Sequence, residues 1–262
     1  MKIDINFFKR VVISFLWVSR NYLRFKHTLK RKYGVGQIKI LDFAGWHGRA
    51  CYFEGVYNKD KVFIKTLGSE FGILQNEQTA INVLTQNAHM KYFPQLYQYG
   101  RIGGDDFVVL EYIPGYTLDY HLNNGLKDFN ADERLGIADQ LIMIMEELHA
   151  KKIVHRDLRP DNIIVTMKNG VKLVLIDYSY VMDSDNWNNT PRFRDINQHI
   201  QSTEIWNALG QNYKPEALKW DDAYAIHKIL NENSFLFNIQ DSLLLKVKNK
   251  IGLEVFTIEY SN

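Results

Sequence analysis

The chain has 262 residues, 46% of them apolar and 24% charged, with only five prolines; this is the make-up of a soluble globular protein and excludes disorder on a large scale. One cysteine, Cys51, excludes an internal disulfide, and with eight scattered histidines it leaves no ligand spacing of the zinc type. The net charge of +2 divides unevenly: residues 1–33 hold nine Lys/Arg against one acid, Asp4, so the basic charge belongs to the N-terminal segment and the remainder is acidic.

In that segment the longest largely apolar run, Val11 to Val18, covers eight residues, well short of the roughly 20 that span a bilayer. Phe8, Val11, Phe15, Val18, Tyr22, Phe25 and Leu29 recur at helical spacing while basic residues crowd the later turns, which predicts an amphipathic helix. Two placements suit it: on an anionic membrane surface, or packed on the rest of the protein with its basic face in water. No secretory signal with a small-residue cleavage site opens the chain, so the expectation is a cytoplasmic protein, peripheral on the inner membrane face under the first placement. Nucleic acid is not expected as a partner, because no base-reading module accompanies the basic residues.

From residue 38 the pattern becomes that of strands: IKILDF (38–43), RACYFEGVY (49–57) and KVFIKTL (61–67), the last two joined by the turn Asn58-Lys59-Asp60. A helix is predicted over about 72–88 and a strand, DFVVLEYI, over 106–113. Beyond Pro114-Gly115 the chain turns mainly helical. The longest helix is expected to start at Asn130, where Asn130 and Glu133 suit a capping box, with the apolar stripe Leu135, Ala138, Leu141, Ile142, Met145 and Leu148. Strands before and helices after place a lobe boundary near residue 114.

Chemistry concentrates in Val154 to Val165, VHRDLRPDNIIV. An acid, Asp157, cations and an amide, Asn162, fall within six residues directly before a β-branched run, a density of polar groups that packing does not explain. Fifteen residues beyond Asn162, the run VKLVLIDYS places Asp177 at the end of an apolar strand. Lys65 likewise ends the apolar stretch VFIK, ahead of the helix that carries Glu77. Gly45 and Gly48, in DFAGWHGRACY, let backbone N–H groups approach phosphates, although two glycines in a hairpin are also ordinary turn chemistry.

Taken in order, these segments resemble the protein-kinase superfamily, whose catalytic loop reads H-R-D-L-x-x-x-N. The resemblance implies an α+β, bilobal protein-kinase-like fold: an antiparallel β-sheet N-lobe with one helix (34–113) and a shortened, mainly helical C-lobe (114–262), preceded by the basic segment 1–33. It implies that Asp157 accepts or orients the proton of an attacking hydroxyl, and that Asn162 and Asp177 hold Mg²⁺. Lys65 would partner the α- and β-phosphates of ATP, with Glu77, in preference to Glu70, as its ion-pair partner. Arg159 stands where serine/threonine kinases commonly carry a lysine and would neutralise charge on the transferred phosphoryl group.

Gly45 and Gly48 match the second and third glycines of the phosphate-covering loop, with Phe43 at the first. VVLEYIPGYTL resembles the hinge, so that the Glu111 carbonyl and Ile113 amide would bind the adenine edge, with Leu110 behind it. Asp222, in WDDAYAIHKIL, matches the buried acid that braces the catalytic loop. The sequence also departs from the family pattern. Phe63 replaces an alanine on the strand face of Lys65, where it would crowd the adenine. Tyr178-Ser179 replace Phe-Gly after Asp177, which reduces backbone freedom and argues against regulation by flipping of this segment. His155 and His227 read as packing residues, and Ser184 and Thr190 as parts of an ordinary polar loop.

The resemblance implies Mg²⁺-dependent transfer of the ATP γ-phosphoryl group to a hydroxyl. The H-R-D form of the loop favours a protein acceptor. Against it, a clear A-P-E is lacking, with only KPEAL at 214–218, and few residues follow Asp222. A compact lobe with a basic amphipathic segment also resembles bacterial kinases that phosphorylate lipopolysaccharide core sugars at the inner membrane, which keeps a glycolipid acceptor open. A pseudokinase scaffold is the third reading, motivated by Phe63 and Tyr178-Ser179 and opposed by Lys65, Asp157, Asn162 and Asp177.

Overall fold

Ile5–Tyr33, 29 residues containing neither glycine nor proline, form helix α1. Lys30, Arg31 and Lys32 in its last turn complement the negative end of the helix dipole. Gly34, at φ +72°, ends it and lets the Val35 N–H donate to the Leu29 carbonyl at 3.1 Å. The computed structural model describes residues 5–41, 50–69, 72–86, 92–167, 170–183 and 222–251, with the side chains of all of these except 5–10, 182 and 183. They fall in two compact units, Met1–Gln78 with Gln95–Tyr112, and Thr79–Pro94 with Ile113–Asn262.

In the first unit, β1 (Gly36–Ile40), β2 (Cys51–Tyr57), β3 (Asp60–Gly68), β4 (Leu96–Ile102) and β5 (Asp105–Glu111) form one antiparallel sheet in the order β1-β2-β3-β5-β4. Asn58 and Lys59, both at positive φ, make the tight β2–β3 turn. Because side chains alternate along a strand, the register sorts the sheet into two faces. Phe53, Ile64 and Val109 stand opposite one another across β2, β3 and β5, and Tyr52, Lys65 and Val108 form the adjacent row on the other face.

The Phe53 face is buried under α1, where Trp17, Phe25 and Leu29 join Phe53, Ile64, Phe107 and Val109 in one core. The Trp17 indole N–H donates to Asp105 Oδ2 at 2.9 Å, and the Tyr22 hydroxyl donates to the Ile38 carbonyl at 3.0 Å. The N-terminal segment is therefore a structural layer of this unit. Its sheet-facing stripe corrects the expected one: Ser14 and Trp17 lie buried, whereas Phe15 is exposed. The reason is physical, since seating the indole against the sheet and Asp105 turns Phe15 out to solvent. Phe8 lies outside the described side chains.

Helix α2 (Ile73–Thr85) falls within the span predicted for it and carries its apolar side on Ile73, Leu74, Ile81 and Leu84, all buried. In the second unit, β6 (Tyr116–Thr117) and α3 (Leu118–Asn123) lead to α4 (Ala131–Ala150). The predicted capping box is present: the Glu133 N–H donates to Asn130 Oδ1 at 3.0 Å and the Asn130 N–H to Glu133 Oε2 at 2.9 Å. Two expectations for this helix are corrected. With 20 residues it is shorter than α1, and Leu135, in its first turns, is exposed while Ile137 and Ile144 join the buried stripe.

After α4 come β7 (Ile153–Val154), a 3₁₀ turn (Pro160–Asn162), β8 (Ile163–Thr166), β9 (Lys172–Leu175) and β10 (Met182–Asp183). β6, β8 and β9 form one small antiparallel sheet, and β7 pairs with β10. Gly115 makes the approach of β6 to β8 possible, because a Cβ there would sit 2.1 Å from the Val165 carbonyl oxygen. Gln140 ties α4 to β9, donating to the Val171 carbonyl at 3.1 Å and accepting from the Leu173 N–H at 2.9 Å. Helices α5 (Asp222–Glu232), α6 (Ser234–Phe237) and α7 (Asp241–Lys248) complete the described residues. An antiparallel sheet followed by mainly helical structure is the α+β architecture that the resemblance implies.

Candidate active site

In the first unit, Lys65 sits on β3 and Glu77 on α2. Both are buried, at 6% and 1% side-chain exposure, and Lys65 Nζ meets Glu77 Oε2 at 3.2 Å. A cation so far from water requires a partner, and Glu77 supplies it. Glu70, the rival partner, lies outside the described residues, as do Phe43, Gly45 and Gly48.

Tyr52 is level with Lys65 in the register, and its ring stacks on Phe63, with centroids 5.8 Å apart and 25° between planes. Phe63 thus has a partner within the sheet, and the pair forms an aromatic surface on the sheet face that carries Lys65. The part of Tyr52 was not anticipated; the cross-strand register brings it there. At the end of β5, Glu111 exchanges bonds with Gln95: its N–H donates to the Gln95 carbonyl at 2.8 Å, and its Oε2 accepts from the Gln95 N–H at 3.2 Å. Leu110 is buried and Ile113 half-buried.

In the second unit, the segment after β7 is held by side chains that leave the loop little freedom. Asn162 Nδ2 donates to the Asp157 carbonyl at 2.8 Å and to Asp157 Oδ2 at 2.9 Å. Both amide hydrogens are thereby committed, which turns Asn162 Oδ1 the other way. Arg159 Nε stands 3.8 Å from Asp157 Oδ1, and its Nη1 3.6 Å from Asp161 Oδ2. The Ile176 N–H donates to the Asn162 carbonyl at 2.8 Å, so the residue preceding Asp177 is joined to the same loop.

Asp222, at the start of α5, braces the loop from below: its Oδ2 accepts from the His155 N–H at 2.6 Å and its Oδ1 from the Arg156 N–H at 3.1 Å. These are charge-assisted bonds inside the protein, the strong kind. They support Arg156 in a left-handed conformation, φ +65°, while its buried guanidinium Nε donates to the Tyr180 carbonyl. His155 Nδ1 accepts from the Asp157 N–H at 3.3 Å, which leaves the proton on Nε2, facing the Ile176 carbonyl at 3.1 Å.

Asp177 is also left-handed, φ +62°, and its Oδ1 accepts from the Ser179 hydroxyl at 2.5 Å. Tyr178 is fully buried between His155 and Phe93, with centroids at 4.9 and 6.4 Å, and its hydroxyl donates to the Leu175 carbonyl at 3.0 Å. The two residues that replace Phe-Gly therefore add two hydrogen bonds. His227 is half-buried on α5, and burial, then Lys248, hold its pKa below the ordinary value, as a packed imidazole requires.

A family model described as protein tyrosine and serine/threonine kinase matches residues 42–196, more than half of the chain. The chain belongs to the protein kinase family. Serine/threonine-protein kinase C of Synechocystis is 38% identical over 92 residues, 35% of this chain and 17% of that protein. The probable serine/threonine-protein kinase PknB of Lactococcus lactis is 28% identical over 204 residues, 74% and 31% of the two chains. Serine/threonine-protein kinase PrkC of Bacillus subtilis is 24% identical over 203 residues, 75% and 30%. This kinase-family chain thus aligns with about a third or less of the length of those relatives.

Proposed function

We propose that this chain is an ATP- and Mg²⁺-dependent protein kinase of the serine/threonine type. The observation that carries the reading is the fixed carboxylate of Asp157, held by Asn162 in a loop that Asp222 braces. In the proposed reaction a protein hydroxyl attacks the γ-phosphorus of ATP, its oxygen–phosphorus bond forms as the β–γ bridging bond breaks, and ADP leaves. Asp157 Oδ1 accepts the hydroxyl proton, or orients the hydroxyl until the proton departs. Arg159 offsets charge on the moving phosphoryl group, and Lys65, aimed by Glu77, positions the α- and β-phosphates.

The donor set fits magnesium. Asn162 Oδ1 and the Asp177 carboxylate are hard oxygen ligands, and two protein ligands completed by phosphate oxygens and water suit an ion that keeps much of its hydration shell. A bound Mg²⁺ would supply positive charge to the phosphate oxygens. Gly45, Gly48, Glu111 and Ile113 remain the proposed backbone contacts to the nucleotide.

The relatives named above are serine/threonine-protein kinases, which favours a protein hydroxyl over the glycolipid acceptor. Incubation of the chain with γ-labelled ATP and a fractionated cell extract tests the acceptor. Label on serine or threonine is expected, and label in the lipid phase alone would overturn the protein acceptor. We infer further that the protein acts as a peripheral protein on an anionic membrane surface, engaged by the basic segment 1–33.

A further inference from the structure

The inner face of α1 is spent on the sheet: Trp17, Phe25 and Leu29 are buried there, with Val18 and Tyr22 packed beside them. An ordinary amphipathic helix would have only polar residues left. Instead Val12, Ile13, Phe15, Leu16 and Leu23 are all exposed, Phe15 at 63% and Leu23 at 80%. They make up five of the thirteen large apolar side chains exposed among the described residues, so exposed apolar surface is concentrated on this one helix. Val12, Leu16 and Leu23 follow one another at i, i+4 and i+11 and line a single stripe.

The exposed basic residues Arg20, Arg24, Lys26, Lys30, Arg31 and Lys32 occupy the later turns, and no acid falls between Ile5 and Tyr33. We propose that this outer face rests on an anionic bilayer, the apolar residues entering the headgroup boundary and the cations meeting lipid phosphates, while the inner face stays bound to the sheet. The inference rests on the membrane reading of residues 1–33 and assigns its residues. Apolar side chains set beside cations of one sign, with no acid on the helix, suit an anionic lipid surface. The helix lies on the bilayer and does not cross it, since no described helix is long and apolar enough to span one.

The packed inner face gives the arrangement a property that a free amphipathic tail lacks. A free tail becomes helical on lipid, whereas α1 is already held by the Trp17–Asp105 and Tyr22–Ile38 bonds. Binding therefore needs no folding, and the first unit is carried to the membrane with its sheet attached.

The test uses the full chain with phosphatidylglycerol-containing and pure phosphatidylcholine vesicles. The variant Phe15→Ser/Leu16→Ser/Leu23→Ser should keep the wild-type melting temperature, because the side chains it changes are exposed, yet partition at least about tenfold less onto the anionic vesicles, the loss for even partial burial of three large apolar side chains. Lys30→Ser/Arg31→Ser/Lys32→Ser should lose about a hundredfold. Helicity of the wild type should not rise on lipid. Equal partition of the wild type and the apolar variant overturns the assignment while the membrane reading stands, and wild type that binds neither vesicle overturns both. An elution volume that shifts with the apolar variant, without a change in vesicle binding, means that a second copy covers this face. ATP turnover in lipid-free solution, measured on the same samples, keeps any of these failures distinct from a failure of the kinase reading.

Discussion

Asp222 Oδ2 accepts the His155 N–H at 2.6 Å across 67 positions of sequence, and through this bond a helix start holds the backbone two residues before Asp157. The Arg156 N–H, in the left-handed region, is bound by the other oxygen of the same carboxylate. Asp222→Asn removes the charge and places an amide NH₂ against one of the two donors. The expected cost is about 1.5–3 kcal/mol of stability, with turnover reduced while the KM for ATP stays near wild type. Thermal unfolding beside initial rates checks it; unchanged turnover would remove the bracing role.

The Lys65–Glu77 pair allows stability and function to be separated. Glu77→Leu removes the carboxylate that meets a buried ammonium group and should cost about 3–5 kcal/mol. The double variant Lys65→Met/Glu77→Leu should recover most of that stability and none of the activity, since the cation proposed to position the phosphates is gone. Recovery of activity in the double variant would contradict the role given to Lys65.

Ser179 and Tyr178 close the segment after Asp177 with bonds to Asp177 Oδ1 and the Leu175 carbonyl. Ser179→Gly removes one of these and restores backbone freedom, so amide exchange over residues 177–180 should quicken about fivefold, the equivalent of one lost hydrogen bond. Exchange equal to wild type would show that the serine does not hold the segment.

Much of this site could be read from residue order. Lys65 closing the apolar run VFIK within β3, Glu77 in an apolar helix, the Asp157–Asn162 loop and Asp222 all carry chemistry that periodicity alone does not require. Strand β4 was not legible, because LYQYGRI sits at the sheet edge with most residues half-buried, so neither face imposes alternation. The outer face of α1 was hidden for the opposite reason: apolar residues occur on both sides of the helix, and the choice of the sheet-facing stripe depended on Trp17 finding Asp105. The aromatic surface of Tyr52 and Phe63 is a matter of register, which single-strand patterns do not contain.

His149 on α4 supplies a pH dependence. Burial, reinforced by Lys250, lowers its pKa from 6.5 to about 4, with Glu146 opposing. The unfolded chain therefore takes up a proton as pH falls through 6.5, whereas the folded chain does so only near 4. Stability from the neutral imidazole is present above 6.5, declines between those values, and is lost below about 4. His149→Gln should flatten the fall in melting temperature across that window relative to wild type; parallel curves for the two proteins would refute the assignment.

Asp157 is proposed to serve a transfer of phosphoryl groups to protein hydroxyls. Its most direct measurement is the rate of label transfer from γ-labelled ATP to serine and threonine, with and without Mg²⁺, for wild type and Asp157→Ala at equal concentration and equal folded fraction. Magnesium-dependent transfer that falls by about 10²–10⁴ in the variant is the predicted result. Transfer equal in the two proteins, or none from wild type to any hydroxyl, would contradict it.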